Sequence, residues 1–325
     1  MKHSLKTSMI IISIMCGLLV LTGSFAGCTS STPAQQATPA ATAAPVSTPA
    51  AGVTPAPAAS AAATTAAPVS APAAGATTGT PAPVYAYAED NVVAYTAASL
   101  KGVSPKLAEG FAKMYPGHKV VFNLDGTQAL KTQVLNGAYA DVFISASNTY
   151  TAELSKGRYF TEGSVRTLTT NYVIVILPAD NPGKIQSLND LAKPGVKIAR
   201  GAKTVPVGTA TDTVLNNLAQ TTYGTDWINA VNTNTVTYET SEPGVATKVA
   251  LGEVDAGFVY ESTATAAKPG TYTSLTIPKK DNFLQVYTIA VLRGSGSKGA
   301  ATDFENFMMS DAGQQILTEY GFRSP

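Results

Sequence analysis

Between Thr29 and Tyr85 the chain carries no charged residue, and this one feature separates what can fold from what cannot. The stretch holds 10 of the chain's 20 prolines beside 21 alanines, with most of the remainder Thr, Ser and Gly. It has no periodic run of large apolar residues to bury, so nothing offsets the entropy of ordering it. An extended, disordered segment is expected; in polyproline II, at about 3.1 Å per residue, it would reach on the order of 150 Å. A folded domain must therefore lie C-terminal to the tract. Residues 90–325 carry 20 Lys+Arg against 20 Asp+Glu, an ordinary globular balance, so the low charged content of the whole chain (13%) is a property of the tract.

Ahead of the tract, residues 1–28 read as a lipoprotein-type signal peptide. Lys2 and Lys6 supply a positive start, Met9 to Leu21 is almost wholly apolar, and small residues lead to Cys28. The apolar run is short for a permanent span, which favours a signal peptide over a transmembrane anchor. Phe25-Ala26-Gly27-Cys28 resembles a lipobox, which implies lipidation of Cys28 and attachment of the mature chain to the outer face of the cell membrane. Residues 29–88 then read as an Ala/Pro/Thr/Ser tether holding a soluble domain off that surface. Cys16 leaves with the signal, so no internal disulfide is expected.

Charge and composition exclude several classes. A formal net charge of +1 lacks the basic footprint of a nucleic-acid binder. Only two histidines are present, His3 in the signal and His118 in a loop, and there is neither a G-x-S-x-G elbow nor an HExxH pair. A catalytic triad or a His-bearing metal site has almost no material, and a non-enzymatic chain without a cofactor is expected.

From Asn91 onward, β-prone runs alternate with helical patterns. Asn91–Tyr95, Lys119–Leu124, Asp141–Ser145, Val173–Leu177, Val196–Ala199, Thr235–Tyr238, Ala256–Tyr260 and Tyr287–Leu292 read as strands. Leu100, Val103, Leu107, Phe111 and Met114 recur at helical spacing, and further helices are expected over Gln128–Leu135, from Asn148, over Thr209–Gln220 and over Val245–Leu251. Alternation of this kind predicts an α/β protein of right-handed βαβ units. A domain of this length is more comfortable as two lobes than as one core.

Ligands of open α/β sheets sit beyond the carboxyl ends of strands, where helix N-termini aim their N–H groups. Four such loops carry glycine or small hydroxyl residues: Ala97-Ala98-Ser99, Asp125-Gly126-Thr127, Thr204-Val205-Pro206-Val207-Gly208 and Ser241-Glu242-Pro243-Gly244. Singly, each is explained by helix capping. Together they offer several neutral donors to one ionised oxyanion.

These loops, with Ala140-Asp141-Val142-Phe143-Ile144-Ser145-Ala146, Gly257-Phe258-Val259-Tyr260, Gly313-Gln314-Gln315-Ile316-Leu317 and Tyr320-Gly321-Phe322, resemble the substrate-binding protein of molybdate ABC transporters from about Val92 to Phe322. The resemblance implies a two-lobed type II periplasmic-binding-protein fold, each lobe a mostly parallel sheet flanked by helices. Lobe I would comprise residues 89–171 plus 287–325, and lobe II residues 172–286. It further implies a monomer that captures molybdate or tungstate outside the cytoplasm for an ABC permease with its cytoplasmic ATPase, with sulfate or phosphate as the alternative anion.

Carried over by position, the resemblance assigns the oxyanion to Ser99, Thr127 (where the family has a second serine), the backbone N–H of Val207, Glu242 and the Tyr260 hydroxyl. Glu242 is similar to a glutamate of archaeal tungstate/molybdate-binding relatives, one of two carboxylates completing octahedral coordination, and is a candidate ligand of the oxyanion metal. The second carboxylate would fall at Val205, which cannot ligate. Glu242 also suits the start of a helix simply by favouring its dipole, and both readings stand at this point.

Overall fold

In a computed structural model, residues 91–325 are described. The signal peptide, Cys28 and the tether lie outside the described residues. Each expected βα unit forms. β1 (Asn91–Ala97) passes through a 3₁₀ turn (Ala98–Leu100) into α1 (Ser104–Met114). β2 (Lys119–Asp125) leads to α2 (Thr127–Leu135), and β3 (Val142–Ser145) to α3 (Asn148–Lys156). Leu100, Val103, Leu107 and Phe111 are buried along one face, as their spacing demands, and Met114 is exposed at its end. After a long β4 (Arg166–Pro178) come β5 (Ile198–Gly201), α4 (Pro206–Leu218), α5 (Thr225–Asn234), β6 (Thr235–Glu239), α6 (Glu242–Ala250), β7 (Ala256–Tyr260) and α7 (Glu261–Ala266). β8 (Tyr272–Thr276), β9 (Leu284–Val291), α8 (Lys298–Met309) and α9 (Asp311–Glu319) close the chain.

Strand order is β2-β1-β3-β9-β4-β7-β5-β6, with β8 added to β4. Each half is built on three parallel strands. β1 pairs with β2 from Asn91↔Lys119 to Ala97↔Asp125 and with β3 from Ala94↔Val142 to Thr96↔Ile144. β5 lies parallel between β6 and β7. This register brings the carboxyl ends of β1 and β2 side by side, delivering Ser99 and Thr127 to one edge. The ends of β5, β6 and β7 deliver the segments holding Val207, Glu242 and Tyr260 in the same way.

The halves are joined by the antiparallel pair β4 and β9. Arg166 to Tyr172 of β4 pairs with β9, whereas Val173 to Pro178 pairs with β7 and β8. In turn, β9 pairs with β3 from Ser145↔Thr288 to Val142↔Val291.

Several boundaries differ from the sequence reading. The strand expected at Val173 begins at Arg166, because polar Thr167, Thr169, Thr170 and Asn171 hide a run that is half buried against β9. The helices expected at Thr209 and Val245 begin at Pro206 and Glu242. Proline reads as loop punctuation in the sequence, but its fixed φ and missing N–H suit the first turn of a helix. On one face of the first half, Phe111, Phe304 and Phe307 pack together, with Phe111 and Phe304 edge-to-face at 5.1 Å. In the second half, Trp227 and Val231 of α5 and Val214 and Leu218 of α4 complete the core.

Candidate functional site

All five residues assigned to the oxyanion line one small cavity. One wall is Ala97, Ala98 and Ser99 after β1, with Gly126 and Thr127 after β2 and Ala146 after β3. The opposite wall is Val205, Pro206 and Val207 at the start of α4, Glu242 at the start of α6, and Tyr260 at the end of β7. Its volume is about 10 Å³, room for roughly one water molecule. The two walls are tied outside the cavity: Gln128 Nε2 donates to the Thr240 carbonyl at 2.8 Å, and the Tyr150 hydroxyl donates to the Thr204 carbonyl at 2.7 Å.

Helix geometry makes this space rich in donors. Thr127, Val207 and Glu242 stand in the first turns of α2, α4 and α6, whose leading N–H groups have no carbonyl within the helix to bond. The positive ends of those helix dipoles reinforce the effect. Close approach at α4 requires glycine: a Cβ on Gly208 would lie 2.1 Å from the Ala202 carbonyl oxygen and 2.5 Å from that of Gly201.

The hydroxyls are held individually. Thr127 is buried, and its Oγ1 accepts the Ala146 backbone N–H at 3.1 Å, which leaves its own proton for the cavity. Ser99 Oγ lies 2.9 Å from the Tyr287 hydroxyl. Tyr260 donates its proton to Gln285 Oε1 at 3.1 Å, while Gln285 Nε2 donates to the Ala146 carbonyl at 2.6 Å. Burial, then the neighbouring Tyr287 and Glu242, push the Tyr260 phenol well above its ordinary range, so it stays protonated.

Glu242 is the acidic member. It is only 4% exposed. Its Oε1 accepts the Thr263 hydroxyl at 2.5 Å and the Tyr260 backbone N–H at 3.1 Å, whereas Oε2 is buried without a partner. Burial raises its pKa from 4.5 to about 7, with the bonds from Thr263 and Tyr260 pulling the other way. Val205 lines the same wall with an aliphatic side chain, and no cluster of three or more His, Cys, Asp or Glu suited to a metal ion occurs among the described residues.

Residues 92–323 match the family described as bacterial extracellular solute-binding protein. The chain belongs to that family. Over 235 residues this solute-binding protein is 32% identical to the molybdate-binding protein ModA of Mycobacterium tuberculosis, covering 72% of its own length and 85% of the relative's. It is 26% identical over 241 residues to ModA of Haemophilus influenzae, covering 72% of itself and 91% of that protein. Among solved structures it matches the periplasmic molybdate-binding protein of Azotobacter vinelandii with a TM-score of 0.63 and 26% identity, over 72% of this chain and 99% of that one. The resemblance read from the loops and the two-lobed α/β fold it implied are both borne out.

Sequence reasoning missed two polar residues bonded to the cavity lining and a third paired with them across the neighbouring strand. Gln285 and Tyr287 on β9 and Asn171 on β4 are all buried. The only signal is a run of polar side chains in strands that otherwise read as apolar, and their partners lie too far along the chain for any spacing to reveal.

Proposed function

We propose that this solute-binding protein captures molybdate or tungstate between its two lobes and delivers it to an ABC permease driven by a cytoplasmic ATPase. The observation that carries the reading is the single cavity onto which three helix N-termini and three hydroxyl side chains converge. The molybdate-binding relatives support the choice of anion. The division into residues 89–171 plus 287–325 and residues 172–286 is supported by the change of strand partner at Tyr172/Val173.

Ser99 and Thr127 hold the anion from one lobe; the Val207 N–H, Glu242 and Tyr260, whose hydroxyl turns from Gln285 Oε1 to the anion, close on it from the other. A four-oxygen anion is larger than the present cavity, so the lobes part to admit it and the Gln128–Thr240 and Tyr150–Thr204 bonds open. Glu242 meets the anion through Oε2 carrying a proton, a state that its pKa of about 7 makes accessible near neutrality. With Val205 opposite, octahedral coordination of the metal lacks its second carboxylate. The chain acts as a monomer, without a cofactor and without catalysing a reaction. The Lys2–Cys28 pattern supports export and a lipid anchor at Cys28, with residues 29–88 as the tether.

Isothermal titration of the purified protein with molybdate, tungstate, sulfate and phosphate tests this. Molybdate and tungstate are expected to bind tightest. Ser99→Ala removes a hydrogen bond to a charged ligand, about 1.5–3 kcal/mol or roughly ten- to a hundredfold in affinity. Preference for sulfate or phosphate would keep the fold and overturn the ligand, and an unchanged Ser99→Ala variant would remove Ser99 from the site.

A further inference from the structure

The side-chain amide of Gln285 has its orientation fixed by what surrounds it. Nε2 faces two carbonyl oxygens, those of Ala146 at 2.6 Å and Val286 at 3.3 Å, and a carbonyl can only accept. The atom turned toward the Tyr260 hydroxyl, 3.1 Å away, is therefore the amide oxygen, which has no proton to give. Tyr260 must donate. Its phenol is buried and stays protonated, so it has one proton, and that proton is committed to Gln285. What the Tyr260 oxygen can present to the cavity in this state is a lone pair, the wrong sense for an oxyanion. Gln285 is itself buried, on β9, and its amide ties Tyr260 on one wall of the cavity to Ala146 on the other.

We infer that Gln285 is an internal competitor for the Tyr260 proton, an affinity-setting residue that weakens the hold of the site on its anion. The inference rests on reading the cavity as the oxyanion site and adds to it a residue that limits affinity. Gln285 is absent from the cavity wall and acts through Tyr260; it is a positioning residue. An entering anion gains the Tyr260 bond only by taking it from the amide. That exchange replaces a neutral hydrogen bond with a charge-assisted one and leaves the buried Oε1 without the donor it had. The net gain is therefore a fraction of what a free hydroxyl would supply. Thr127 stands in contrast: its Oγ1 accepts from the Ala146 N–H, so its own proton reaches the anion without being taken from that bond. As the anion leaves, the Gln285 amide takes the Tyr260 proton back, so release is helped by a group already in place.

The test is a double-mutant cycle on the full-length protein, read by isothermal titration with molybdate and by urea unfolding without ligand. Gln285→Met keeps the length of the side chain and removes the amide. It is expected to tighten molybdate about three- to tenfold while destabilising the ligand-free protein, two shifts of opposite sense that lost packing alone would not produce. In a Tyr260→Phe background the same substitution is expected to leave molybdate affinity unchanged, because there is no proton left to compete for. Tyr260→Phe by itself is expected to weaken molybdate by less than about threefold, since the wild-type bond is exchanged rather than gained, and by several times more when made in Gln285→Met. A molybdate affinity that falls or stays level in Gln285→Met, or a gain that survives Tyr260→Phe, would overturn the competition and leave the site intact. If Gln285→Met does not fold, Tyr260→Phe alone decides: a loss above about threefold overturns the competition, and a smaller one supports it. If the wild type binds none of molybdate, tungstate, sulfate and phosphate, the reading of the cavity fails and the competition with it.

Discussion

Replacing Glu242 with glutamine isolates a buried group whose ionisation changes in the working pH range. In the folded protein its pKa is about 7 against an ordinary 4.5, because the carboxylate is removed from water and only two donors reach one of its oxygens. A raised carboxyl pKa means that the folded state binds the proton more tightly than the unfolded chain. Its contribution to stability is therefore intact below pH 4.5, is lost progressively between 4.5 and 7, and stays lost above. A gap of about 2.5 pH units at 1.36 kcal/mol each is on the order of 3 kcal/mol. Glutamine keeps the oxygen that accepts from Thr263 and Tyr260 and cannot ionise. The variant is expected to match the wild type near pH 4.5 and to exceed it by up to about 3 kcal/mol at pH 8, a difference of roughly 6–12 °C in Tm for a domain of this size. Thermal unfolding of both proteins without ligand, at half-unit steps from pH 4.5 to 8, reads this directly. If the two curves run parallel across that range, Glu242 is not a buried group that ionises there, and the argument for a proton-bearing carboxyl at the cavity collapses.

Gly208→Ala drives a Cβ into two backbone carbonyls at the start of α4. Titration with molybdate is expected to show at least a tenfold loss as the Val207 N–H is displaced, and a variant that binds like the wild type would mean the turn is looser than those contacts imply. Asp212→Ala leaves the Arg200 guanidinium, 3% exposed, with Asn232 and the Tyr238 ring but without its anion. Because Asp212 is itself 37% exposed, the full cost of breaking a buried pair is reduced to roughly 1–3 kcal/mol, measurable by urea unfolding. Gln285→Leu strips a partner from both the Tyr260 hydroxyl and the Ala146 carbonyl. A loss of about 1–3 kcal/mol for each group left unsatisfied is expected in the same assay.

The residues legible in the sequence are those whose position is set by local rules. Ser99 and Thr127 follow strands that alternate plainly with helices, and Val207 and Glu242 sit beside prolines that mark helix starts. The starts themselves lie three residues earlier than the apolar spacing suggests, since proline alone does not say whether a helix follows or a loop continues. α5 escapes a reading by pattern because it is only a partial apolar face, with Trp227 and Val231 buried and the rest half-buried or exposed. β8, of sequence Tyr-Thr-Ser-Leu-Thr, has no fully buried position and is a strand because β4 offers it an edge. Asn171, Gln285 and Tyr287 are hidden for a different reason. Their meaning lies in hydrogen-bond partners such as Ser99, 188 positions from Tyr287, and only the folded register brings those together.

The ribbon formed by β4 and β9 is where the two lobes are joined, and it also carries Asn171, Gln285 and Tyr287. A swing of one lobe against the other must twist this ribbon, from which Gln285 reaches Tyr260 and Ala146, Tyr287 reaches Ser99, and Asn171 reaches Ser262 of α7. On the proposed reading of the cavity, the pivot and the sensor are the same strands. A ligand that straightens the hydroxyls of Ser99 and Tyr260 loads the joint about which the jaws turn, and a force that pries the jaws apart misaims the hydroxyls. For a transporter docking on the outer faces of the lobes, gripping the protein would then loosen its cargo without any group of the transporter entering the cleft.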